Sequence, residues 1–173
     1  IILLILIICF ISETRAQNLK SYEFLIRGNF PEFINYFPNL AFDNFVTETS
    51  SEIEMNTFSQ FDASDWNLYL NTSNEFIVYN PSKTYATDFN FYGDVDQETK
   101  LLDIKNRSEK RINFCDPTCG FDEAKWLNDD VLILVGSFID FDYYDEVTET
   151  SRIYAMIMIV DLEHRKKNIY FNK

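Results

Sequence analysis

The side chains this chain offers for chemistry are mostly carboxylates: 28 Asp and Glu stand against 15 Lys and Arg and one histidine. The densest group is Asp140-Phe141-Asp142-Tyr143-Tyr144-Asp145-Glu146, four acids in seven residues. Carboxylates this close repel one another, and a hard cation that takes several oxygen ligands relieves the repulsion. The expected site is a weak calcium site in a loop, with Asp140, Asp142 and Asp145 as ligands. The run has neither the EF-hand spacing nor that loop's glycine, so the competing reading is a solvated acidic loop between two strands. Asp94-Val95-Asp96-Gln97-Glu98 is a second acidic run, expected in the equivalent loop of an earlier unit. Paired carboxylates also hydrolyse glycosides. The candidates are Asp122 with Glu123, expected just before a strand, and Asp129 with Asp130, just after it. With so many acids, close pairs arise by chance, so the primary expectation is a protein that is not an enzyme. Tyr143 and Tyr144 with Trp126 would make a sugar-stacking platform, but aromatics in a β-rich chain usually pack inside, and Trp126 is expected there.

Other chemistries find little support. Cys115-Asp116-Pro117-Thr118-Cys119 can close a tight disulfide loop, and three intervening residues are one too many for the C-x-x-C redox motif. Two free thiols remain the alternative; a zinc site would need about four ligands, and only His164 is left to join the pair. His164 sits in the basic turn Glu163-His164-Arg165-Lys166-Lys167, where an exposed turn histidine is the plain reading and a Ser-His-acid triad the remote one. Four glycines leave no phosphate loop. A net charge of −13 and a pI near 4.4 argue against nucleic acid and anionic membranes. The expected partners are a protein or a glycan, the expected state is a monomer, and no cofactor is expected beyond weakly held calcium.

Several elements must position these groups. Residues 1–11 are almost wholly apolar, too few for a membrane span of about 20 residues and suited to a signal-peptide core. Cleavage is expected after Ala16, so 1–16 is a signal peptide and the mature protein is secreted or periplasmic. Lipidation at Cys9 is the variant reading. At 46% hydrophobic and 17% aromatic the remainder is globular rather than disordered. Residues 17–61 read as a helix and loop segment: a helix from Leu19 that ends at Gly28, and a second, Glu32 to Phe37, opened by Pro31 and stopped by Pro38. Residues 62–173 read as β. Strands are expected at Trp66–Leu70, Glu75–Tyr79, Lys100–Ile104, Lys110–Phe114, Glu123–Trp126, Val131–Phe138, Arg152–Leu162 and Asn168–Phe171. The first two are joined by an Asn71–Asn74 hairpin turn. Asn71-Thr72-Ser73 and Asn106-Arg107-Ser108 match the glycosylation acceptor pattern, relevant in a eukaryotic host. The unbroken apolar run Ala155–Val160 is expected to be buried on both faces.

Leu101-Leu102-Asp103-Ile104, a basic turn and Lys110–Phe114 parallel Ile159-Val160-Asp161-Leu162, another basic turn and Asn168–Phe171. The aspartates are 58 residues apart. Each copy, about 62–114 and 121–173, reads as a four-stranded meander. Ala124–Gly136 and the hydrophobic-hydrophobic-Asp-Leu ending resemble a blade of a WD40-like β-propeller, without its Gly-His or Trp-Asp dipeptides. Two blades cannot close a propeller. The expected fold is therefore mainly β: two antiparallel, blade-like four-stranded meanders packed together, behind a short helical segment. Trp126, Ile133, Val135, Ile157 and Ile159 are expected in one core. The expected function is an exported β-rich binding or scaffolding module; the alternative is a carboxylate-dependent hydrolase of extracellular glycans.

Overall fold

The computed structural model describes residues 19–55, 58–72, 74–92, 96–146 and 149–172. The signal peptide expected over 1–16, Ser73 of the first glycosylation pattern, and Asp94 and Val95 of the second acidic run lie outside them. Two antiparallel sheets pack face to face. The first contains β1 (Phe45–Glu52), β8 (Cys119–Trp126), β9 (Val131–Asp145), β10 (Thr150–Asp161) and β11 (Lys166–Asn172), in the order β1-β11-β10-β9-β8. The second contains β2 (Ser59–Gln60), β3 (Ile77–Tyr79), β4 (Tyr85–Asp88), β6 (Asp96–Asp103) and β7 (Ser108–Cys115), in the order β2-β7-β6-β4-β3. The two-residue β5 (Phe91–Tyr92) pairs with β6 beyond β4. Each sheet thus holds a run of sequential strands and gains one edge strand from earlier in the chain, β1 beside β11 and β2 beside β7. The expected four-stranded count is too low for that reason, and the sheets do not close into a propeller.

The two turns that mark the 58-residue spacing share one geometry. Asp103 Oδ1 accepts the Asn106 N–H at 2.9 Å, and Asp161 Oδ1 accepts the His164 N–H at 3.0 Å. The next residues, Arg107 and Arg165, have φ of 52° and 53°, the left-handed conformation that completes each turn.

Burial on both faces explains the apolar runs of β9 and β10. Leu132, Leu134, Met156, Met158 and Val160 face the second sheet, together with Trp126, Phe121, Leu101 and Ile112. Ile133, Val135, Ile157 and Ile159 face the other way, against Leu19, Ile26, Phe30 and Phe33. Trp126 therefore does not share a core with Ile133 or Ile157. The sheet alternation puts them on opposite faces. The helical cover consists of α1 (Glu23–Asn29) and α2 (Pro31–Tyr36), two short helices that rely on this packing for stability. Arg27 pins α1 by donating to the Leu40 carbonyl at 2.9 Å.

A correction concerns Trp66–Leu70, which is helix, within α3 (Ala63–Thr72). Asp62 caps it: Oδ1 accepts the N–H groups of Ser64 and Asp65, each at 2.9 Å. The i, i+3, i+4 spacing of Trp66, Tyr69 and Leu70 puts all three against the outer face of the second sheet, with Ile77, Ala86 and Leu102. Asn71 and Thr72 end this helix rather than turn a hairpin. The molecule is thus layered helix, sheet, sheet, helix.

Candidate functional site

The site begins with a break in β8. Phe121 pairs with Gly136 and Glu123 with Val135, leaving Asp122 without an opposite partner. Such a bulge breaks the alternation of side chains, and Asp122 and Glu123 both line one cleft beside α2. Close approach of the strands depends on Gly136: a Cβ there would lie 1.9 Å from the Gly120 carbonyl oxygen and 2.7 Å from Phe121 Cα. From the second sheet, the buried Gln97 side chain holds the same point. Its Nε2 donates to the Phe121 and Phe89 carbonyls at 2.8 Å each, and its Oε1 accepts the Phe121 N–H at 2.6 Å.

The cleft, about 390 Å³, is lined by Glu32, Phe33, Tyr36, Phe37, Asp122, Glu123 and Ser137. None of these is basic. Glu123 Oε1 accepts the Phe33 N–H at 2.9 Å. Phe33 is the third residue of α2, and the residue before that helix, Phe30, has no side-chain oxygen to cap it. A strand residue 90 positions away supplies the missing acceptor. Burial raises the Glu123 carboxyl above its ordinary value. The Phe33 hydrogen bond opposes the rise, and the carboxylates of Glu32 and Asp122 add to it. Asp122 lies at the exposed rim, yet the surrounding protein withholds enough water to raise its carboxyl as well.

The other predicted residues fall elsewhere. Asp140, Asp142 and Asp145 belong to the 15-residue strand β9, not to a loop. The alternating aromatics there favour strand, and Asp140 pairs with Arg152 and Asp145 with Thr150. Phe141, Asp142 and Tyr143 bulge between those pairs. The Asp142 N–H donates to Asp140 Oδ1 at 3.2 Å. Among the described residues no three His, Cys, Asp or Glu side chains form a group that could hold a metal ion. The expected calcium ligands are therefore not assembled. In the second acidic run, Asp96, Gln97 and Glu98 lie in β6, with Gln97 buried.

Asp129 is occupied in tying the sheets together: its Oδ1 accepts the Ser82 N–H at 2.7 Å and its carbonyl accepts Asn80 Nδ2 at 3.0 Å. Trp126 is buried and donates Nε1–H to the Val78 carbonyl at 2.9 Å, away from exposed Tyr143 and Tyr144. His164 Nδ1 lies 2.9 Å from Asp161 Oδ2, the place Asn106 Nδ2 takes beside Asp103 Oδ2 in the sister turn. That equivalence marks the His–Asp pair as turn structure. Cys115 and Cys119 stand at disulfide distance, Cα atoms 5.2 Å apart, joining the end of β7 to the start of β8.

Sequence reading singled out Asp122 and Glu123 but missed Glu32, Tyr36 and Ser137, whose contribution depends on how α2 docks. No helix among the described residues is long and apolar enough to cross a membrane. Comparison with protein-family models, with curated proteins and with solved structures returns no match.

Proposed function

We propose that the protein is an exported binding module, not an enzyme, and that its cleft beside α2 takes an organic cation. One observation carries this reading: three carboxylates and three aromatic side chains line a cleft without a base, and two of the carboxyls are held above their ordinary pKa. An entering ammonium or guanidinium group stabilises the ionised carboxylates and meets aromatic faces that attract cations. The apolar leader of residues 1–11 and the Cys115–Cys119 pair support an exported protein. The matched Asp103 and Asp161 turns support reading the two sheets as copies of one blade-like unit.

Calorimetric titration with arginine amide against citrulline amide, its uncharged counterpart, tests the cleft. Arginine amide should bind at least about tenfold more tightly, equivalent to about 1.4 kcal/mol. Its affinity should rise with pH as Asp122 and Glu123 ionise. Glu123→Gln keeps an oxygen for Phe33 and should weaken binding without unfolding α2. Equal affinity for the two amides refutes the reading.

The alternative, a carboxylate-dependent hydrolase of extracellular glycans, is favoured by the same raised carboxyls, since a general acid must hold its proton. Against it, Glu123 already commits Oε1 to Phe33. Turnover of aryl glycosides that Asp122→Asn and Glu123→Gln each abolish would establish the hydrolase instead.

A further inference from the structure

The cleft that holds Asp122 and Glu123 has a neighbour. A second cavity, about 290 Å³, lies at the end of α2, and Tyr36 and Phe37 line both spaces. The rest of its lining is Pro38, Leu40, Ile153 and Ala155, with the uncharged Asn39 and Asn172. The cleft by contrast presents the carboxylates of Glu32, Asp122 and Glu123.

One strand pair brings the two spaces together. Ser137 lines the cleft, Ala155 lines the second cavity, and the two residues stand opposite each other across β9 and β10. Opposed residues of an antiparallel pair have Cα atoms about 4.5–5.5 Å apart, so the cavities adjoin on one face of the sheet. Two residues back along the same face, the pair Val135 and Ile157 packs against the helices. Ser137 and Ala155 are smaller and leave the space under Tyr36 and Phe37 open.

The linings call for an occupant with two unlike ends. A cation is stabilised among the three carboxylates and gains nothing from a cavity without charge. A hydrocarbon gains by leaving water beside Tyr36 and Ile153, large apolar side chains that are otherwise exposed. Small-molecule sites combine these features, an apolar wall and a few polar groups that fix orientation. We propose that the two cavities form one site for an amphiphilic amine with an unbranched alkyl tail. Its ammonium group sits in the cleft, and its tail crosses Ser137 and Ala155 to lie against Pro38, Leu40 and Ile153. This inference rests on the cleft binding a cation and adds the apolar half of the ligand.

The test is calorimetric titration with straight-chain alkylammonium ions from ethyl to octyl, kept below their micelle concentrations, with hexan-1-ol as the uncharged control. Each methylene beyond butyl should tighten binding about threefold, somewhat under the fourfold expected for complete burial. Hexylammonium should bind at least tenfold more tightly than hexan-1-ol. Ile153→Asn, at an exposed position and checked for native circular dichroism, should weaken octylammonium at least tenfold more than it weakens ethylammonium. Affinity that does not change with chain length, or a rise that survives Ile153→Asn, overturns the joined site and leaves cation binding by the cleft standing. Hexan-1-ol binding as tightly as hexylammonium also overturns it. If neither ethylammonium nor arginine amide binds, the cleft reading fails and this inference fails with it.

Discussion

At Asp122, ligand binding and stability pull in opposite directions. Loss of water around its carboxyl raises the pKa in the folded protein. A raised acid binds more protons folded than unfolded, so its contribution to stability is fully present below the unfolded pKa. That contribution is lost as pH rises through the folded value. Asp122→Asn should therefore melt at a higher temperature than the parent at pH 7. The gap should close as pH falls below the ordinary aspartate range of about 3.9, as melting curves across that range would show. A parent equally stable or more stable than the variant at pH 7 would mean that Asp122 has a stabilising partner. The gain in stability should come with weaker cation binding, as expected where a site keeps an unfavourable charge for use.

The element that places this acid is β8, and its position rests on one glycine. Gly136 lets the Gly120–Phe121 backbone approach where a side chain would collide. Gly136→Ala should force β8 away from β9, strain the Gln97 bonds to Phe121 and misplace the Asp122 bulge. The expected cost is about 1–3 kcal/mol, typical of overpacking a tight interior, measured by urea denaturation. Unchanged stability together with unchanged cleft affinity would show that β8 yields freely. The helices teach a different lesson. Pro31 and Pro38 mark the bounds of α2 in the sequence, whereas Trp66 and Tyr69, residues that strands favour, make α3 read as a strand even though Leu68 and Leu70 are good helix formers. Its legible signal was Asp62 followed by Ala-Ser-Asp, an N-cap with an acid three residues on.

For the molecule as a whole, the decisive contact is the one between sheets. Cys115 ends β7 of the second sheet and Cys119 starts β8 of the first, so the pair staples the crossover that brings the sheets face to face. The loop-entropy relation gives about 2 kcal/mol for so short a ring. Reduction, or Cys115→Ser with Cys119→Ser, should lower the urea midpoint by about that amount while leaving both sheets formed by circular dichroism. Intact mass should rise by about two hydrogens on reduction. No mass change would mean two free thiols.

Much of the sheet is legible in the sequence. Apolar and β-branched runs bounded by turns, with the matched Asp103 and Asp161 turns, locate β6, β7, β9, β10 and β11, and two-sided burial follows from the unbroken run Ala155–Val160. Alternation sends Ile157 and Met158 to opposite faces, but with both faces apolar the sequence does not say which face meets the other sheet; the docking of α1 and α2 on the Ile157 face decides that. The exposed, Ser- and Thr-rich β1 has no apolar face to reveal it, and becomes a strand through its partner β11. The cleft is the clearest case. Asp122 and Glu123 are visible as an acidic pair, but the bulge that turns both to one side depends on Gly136 and Gln97. The Glu123 bond that caps α2 spans 90 residues. Local sequence sets propensity and pattern, and contacts between segments that far apart exist only once the chain has packed.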